Sequence, residues 1–109
     1  MNSSIFDIMK SSGILPGMIV VSVAGHDEGR VYLVIARSDK MVRVADGRVR
    51  PAGNAKTKRV THLKAMGMAE DADLLLTKLA GMANEEEKNI CIRNSINCFL
   101  KKTNSHKER

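Results

Sequence analysis

The chain has 109 residues, 43% of them hydrophobic and 28% charged, with a net charge of +6. That length suits one domain, no apolar run approaches the roughly 18 residues of a membrane helix, and the first residues, MNSSIFDIMKSSG, lack the basic start and apolar stretch of a secretory signal. Phe6, Tyr32 and Phe99 are the only aromatic residues, so the core must be aliphatic, and two cysteines, Cys91 and Cys98, suit a reducing cytoplasm.

Taken in chain order, residues 1–13 carry Ile5, Phe6, Ile8 and Met9 and leave a short helix open. Residues 14–64 read as a β domain. Met18 to Val23 is rich in β-branched residues, and Val31 to Ala36 is a near-continuous apolar run. Between them lies GHDEGR, in which His26, Asp27 and Glu28 put an imidazole and two carboxylates side by side. Glycines bracket the three, as a tight reversal requires where φ turns positive. Consecutive residues at a turn tip splay apart rather than converge, so a strand–turn–strand is expected, with Gly25 and Gly29 as its structural residues. Met41 to Ala45 and Arg48 to Pro51 flank Asp46-Gly47, the pair most typical of a two-residue hairpin. Val60 to Leu63 supplies a fifth strand, with turns over 37–40 and 53–58. Four or five short strands joined this way predict a small, strongly bent antiparallel barrel.

From about residue 70 the apolar period becomes helical. Leu75, Leu76, Leu79 and Met82 mark one helix, with Asp71 or Asp73 as its cap and Gly81 as its stop. Asn84 followed by Glu87 matches a capping box. Ile92, Ile96, Phe99 and Leu100 form the stripe of a second helix, ending near Lys102. The residues alone do not decide whether Gly81 separates two helices or weakens one. Residues 65–103 form a helical extension in this reading, and 104–109 a disordered tail.

The charge is localised. Residues 1–42 carry four basic and four acidic side chains, and residues 65–109 carry seven of each. Residues 43–64 carry seven basic side chains against Asp46 alone. A local surplus between two neutral segments points to a polyanion. The candidate RNA-binding residues are Arg43, Arg48, Arg50, Lys56, Lys58, Arg59, His62 and Lys64. In a hairpin centred on Asp46-Gly47, Arg43 faces Arg50 on the side opposite Val42, Val44 and Val49. That like-charge pair is unfavourable by itself. A phosphate held between two guanidinium forks would account for it.

The run GMIVVSVAGHDEGRVYLVI resembles the KOW motif, with Gly29 at its fixed glycine and Gly17 and Gly25 at flanking positions. VADGRVRP, KTKRVTHLK and the later NICIRNSI, in that order, resemble segments of the bacterial KOW-domain RNA-binding proteins related to eukaryotic-type large-subunit ribosomal proteins. The resemblance spans residues 14–100. It implies a small SH3-like β-barrel followed by C-terminal helices, and binding to ribosomal RNA or the large ribosomal subunit. It matches Arg48, Arg50, Lys56, Lys58 and His62 to the family's basic segments.

The expectation is a cytoplasmic, non-catalytic protein that binds structured RNA through phosphates. The scarcity of aromatic residues argues against single-strand reading by base stacking. A protein-interaction module using the barrel and the amphipathic C-terminal helix is the alternative. His26, His62 and His106 are scattered. Cys91 and Cys98 share a helical face as small core residues, short of a zinc-ligand set. No cofactor, metal or membrane partner is expected.

Overall fold

The computed structural model describes residues 13–107, with side chains to 103. The expected N-terminal helix lies outside the described residues. Five strands are followed by two helices: β1 (Met18–Ser22), β2 (Val31–Ser38), β3 (Met41–Ala45), β4 (Lys56–Arg59), β5 (Leu63–Met68), α1 (Ala72–Gly81) and α2 (Glu85–Lys107). All strand pairs are antiparallel, in the order β4-β3-β2-β1-β5.

The topology demands a curled sheet. β4 and β5 occupy opposite edges, yet only a short 3-10 turn, Val60–His62, joins them. From Arg59 to Leu63 the chain can reach at most about 14 Å, at roughly 3.3–3.6 Å per residue. In a flat sheet those edges would lie about 19 Å apart, four spacings of roughly 4.7–4.9 Å. Register shifts in β1–β5 (between Ile19 and Val20) and β2–β3 (between Val34 and Ala36) supply local bends. The sheet is not closed, so the barrel of the sequence reading is met as a curled open sheet.

Curling gives the sheet two buried faces. Val20, Tyr32, Val34, Val42 and Val44 fill the concave side with Ile14, Val60 and Leu63. Ile19, Leu33 and Ala45 face outward and pack under Leu75, Leu79, Ile92 and Ile96 of the helices. The apolar run in β2 follows from this arrangement: alternate residues enter alternate cores, and Tyr32, Leu33 and Val34 are all essentially inaccessible.

The hairpin expected around Asp46-Gly47 does not form. Residues 48–51 form no strand, and the chain turns there instead. Asp46 Oδ1 accepts hydrogen bonds from the backbone N–H of Arg48 (2.8 Å) and Arg50 (2.9 Å). Asp46 lacks the positive φ that a two-residue turn would require. β3 pairs with β4 instead, placing Arg43 opposite Thr57 and Val42 opposite Lys58. Arg43 therefore does not face Arg50, and Val49, expected inside, is 63% exposed. The segment expected as a basic loop contains β4, and the last strand starts at Leu63 rather than Val60.

Gly81 ends α1, and α2 begins afresh behind Asn84, whose side-chain oxygen accepts from Glu87 N–H at 3.0 Å. Asp71 occupies the N-cap position of α1 without a side-chain capping bond. α2 continues to Lys107, past the expected end near Lys102 and into the expected tail. Ile92 and Ile96 are buried against the sheet, so the amphipathic face proposed for a partner is already covered. Cys91 is half-buried, but Cys98 is exposed rather than in the core.

Candidate nucleic-acid interface

The β1–β2 reversal is built on Gly29, whose φ of +93° favours glycine and whose N–H donates to Ser22 O at 2.8 Å. His26 and Glu28 point to solvent, but Asp27 does not. Its carboxylate is buried beneath the turn. Oδ1 accepts from Lys58 Nζ (2.8 Å) and Ser22 Oγ (2.9 Å), and Oδ2 accepts from Tyr32 Oη (2.5 Å) and Lys56 Nζ (3.3 Å). Lys58 Nζ also donates to Ser22 Oγ and to the Ala24 carbonyl. Burial alone pushes the Asp27 carboxyl up, but hydrogen bonds from Lys58, Tyr32, Ser22 and Lys56 outweigh it and hold the group well below the usual carboxylate range. Burial, reinforced by Asp27, pushes the Tyr32 phenol above its ordinary value.

This network sorts the eight candidate RNA-binding residues. Lys58, opposite Val42, is only 6% exposed and its ammonium is committed to Asp27. It is a structural residue and leaves the candidate set. Lys56 is half-buried and drawn toward the same carboxylate. Alternation then puts Thr57 and Arg59 on the outer side of β4. There Arg59 pairs with Met41, and Arg43 with Thr57, so the two arginines are diagonal neighbours on one exposed face. Arg48 and Arg50 lie apart from them in the turn after β3, exposed and half-buried respectively. His62 and Lys64 are exposed at the β4–β5 connection and the start of β5. Arg43, Arg48, Arg50, Arg59 and Lys64 have no carboxylate within 4 Å among the described residues.

Two residues given no role in the sequence reading hold the 46–52 turn. Asn89 Oδ1 accepts from Ala52 N–H at 2.8 Å, and Arg93 Nη1 donates to the Gly47 carbonyl at 2.7 Å. Gly47 has φ +78°, and a methyl there would come within 2.5 Å of the Asn89 carbonyl oxygen and 2.9 Å of Arg93 Cγ. The NICIRNSI segment therefore clamps a β-domain turn. Its signal was visible as Asn89 and Arg93, four apart, interrupting the apolar stripe of Ile92 and Ile96.

Among the described residues, no aromatic side chain offers a stacking platform on the outer β3–β4 face: Tyr32 is inside and Phe99 packs against Gly67. Among the described residues, no three His, Cys, Asp or Glu side chains are grouped to share a metal ion, and no helix is long and apolar enough to cross a membrane. No protein-family model and no curated protein matches the chain.

Proposed function

We propose that the chain is a non-catalytic module of SH3-like design that binds structured RNA through phosphates, in association with the ribosome or translation. The observation that carries this reading is the separation of the local cations into two sets. Lys56 and Lys58 lean inward onto Asp27, whereas Arg43, Arg48, Arg50, Arg59 and Lys64 have no carboxylate partner among the described residues. The latter supply the positive field, and arginine forks suit phosphate oxygens. The curled five-stranded sheet and its Gly25–Gly29 reversal are compatible with the KOW resemblance. With no outward aromatic side chain on β3–β4 among the described residues, recognition by backbone and shape is favoured over base stacking.

Three to five phosphate contacts correspond to a slope of log K against log salt of about −2 to −4.5. Replacing Arg43 and Arg59 together by Ala is expected to weaken binding to duplex-containing RNA and flatten that slope by about 1.4–1.8. An unchanged affinity and slope would overturn the assignment of this face. Crosslinking in cells, with sequencing of bound RNA, tests the ribosomal part through enrichment of ribosomal RNA. Co-purification that survives nuclease would favour the alternative of a protein partner.

A further inference from the structure

We infer that the junction between the 46–50 turn and α2 is a discrete phosphate-binding recess, separate from the outer β3–β4 face. A recess of about 160 Å³ opens there, lined by Val31, Asp46, Arg48, Arg93, Ile96 and Asn97. That exceeds the roughly 10–15 Å³ one water needs and leaves room for a small anion. Val31 and Ile96 are its apolar lining residues, and Arg48, Arg93 and Asn97 are those with side-chain N–H donors.

The donors are held in different ways. Arg93 is half-buried, and its Nη1 is fixed on the Gly47 carbonyl, which sets the plane of the guanidinium. Its Nη2 is 3.9 Å from Glu86 Oε2, a carboxylate that is 72% exposed and can leave for water. Arg48 carries no ion-pair partner among the described residues, and its backbone N–H is anchored on Asp46. Asn97 is exposed one turn beyond Arg93 on the same helix.

Asp46 also lines the recess, and it is the group an anion would have to tolerate. Its charge is already engaged. Oδ1 accepts two backbone N–H groups, and Oδ2 lies 3.7 Å from Arg30 Nη1. Arg30, Arg48 and Arg93 thus stand against Asp46 and the loosely held Glu86. A surplus of cation remains beside a partly enclosed space. A planar fork fixed by one bond, whose other edge is held only by the exposed Glu86 carboxylate at 3.9 Å, can exchange that partner for two oxygens of one anion. The ligand class is a phosphate group, supplied either by an RNA backbone or by a small phosphate compound.

The test uses the full chain, inorganic phosphate as probe, and NMR of side-chain N–H resonances. Phosphate is expected to shift Arg48, Arg93 and Asn97 saturably. Arg48→Ala keeps the backbone donor to Asp46 and should weaken phosphate binding at least fivefold, as should Asn97→Ala. The Arg43→Ala/Arg59→Ala variant should bind phosphate here like the parent. Adding duplex RNA separates the sources: competition with phosphate marks a backbone-phosphate site, and lack of competition marks a site for a small phosphate compound. Non-saturating shifts spread over the whole surface, or phosphate binding unchanged by Arg48→Ala, would overturn the recess. Phosphate binding unchanged by Arg48→Ala, beside RNA binding that still responds to Arg43 and Arg59, would remove the recess and leave the RNA reading standing.

Discussion

Asp27 and Lys58 show how a single buried carboxylate fixes the meaning of its neighbours. Removing one member of a buried pair leaves an uncompensated charge and typically costs about 3–5 kcal/mol. Asp27→Asn should cost this much because Lys58 would lose its counter-charge and keep only neutral acceptors, Ser22 Oγ, the Ala24 carbonyl and the amide oxygen. At about 4–8 °C per kcal/mol for a domain near this size, the loss should be plain in a thermal melt. Asp27→Asn combined with Lys58→Met should be less damaging than the sum of the two, and chemical denaturation of all four proteins measures that coupling. The pH dependence has a fixed sign. The Asp27 carboxyl is depressed in the folded state, so its contribution is fully present above the unfolded value of about 3.9 and is lost as pH falls toward the folded value. The stability gap between the parent and Asp27→Asn should be constant above about pH 5 and narrow below about pH 4. Tyr32 acts oppositely: its raised pKa gives stability that is present below an unfolded value of about 10 and is lost as pH rises through the folded value.

At the scale of elements, the start of α2 and its packing on the 46–52 turn are separable. Asn84→Ala removes the capping bond to Glu87 and should destabilise by about 1 kcal/mol, a typical N-cap loss. Gly47→Ala should cost more than the cap. It strains a positive φ and drives a methyl into the backbone of α2, which an urea melt would register together with altered α2–turn contacts in NMR. These cases also divide what the sequence could and could not tell. β1, β2, β3 and both helices were legible because their apolar periods matched the cores they enter. Asn84 and Gly29 were legible because capping and positive φ are local demands. β4 was missed because KTKR has no apolar alternation: the residue that points inward, Lys58, is charged and is satisfied by Asp27, more than thirty residues earlier. The Asp46-Gly47 hairpin failed because Asp46 spends its side chain on two backbone N–H groups, closing a turn that needs no second strand. The role of Arg93 is not legible locally, since its partner, the Gly47 carbonyl, lies 46 positions away in sequence.

Over the whole molecule, the surplus charge of residues 43–64 is divided between cohesion and surface, and the division predicts opposite mutational signatures. Arg43 and Arg59 are diagonal neighbours on an exposed face without acidic partners among the described residues. Folding gains nothing evident from placing them together, and like charges on one sheet face repel. Screening at a physiological Debye length of about 8 Å weakens that repulsion. Raising salt from low to physiological levels should therefore slightly stabilise the fold while weakening its hold on RNA, two responses of opposite sign in one protein. Arg43→Ala with Arg59→Ala should leave folding stability within about 0.5 kcal/mol of the parent, or raise it, because exposed substitutions away from structural contacts have small effects. The same change should lose RNA affinity and reduce the salt response of both properties. Lys58→Met should show the reverse pattern: a loss of about 3 kcal/mol, the low end for a broken buried pair because Lys56, Tyr32 and Ser22 still reach Asp27, with the RNA salt slope unchanged where the protein remains folded. Paired denaturation and RNA-binding titrations over one salt series would read both patterns. A flattened slope in Lys58→Met, or a severely unstable Arg43→Ala/Arg59→Ala protein, would show that cohesion and surface are not divided as the side-chain partners indicate.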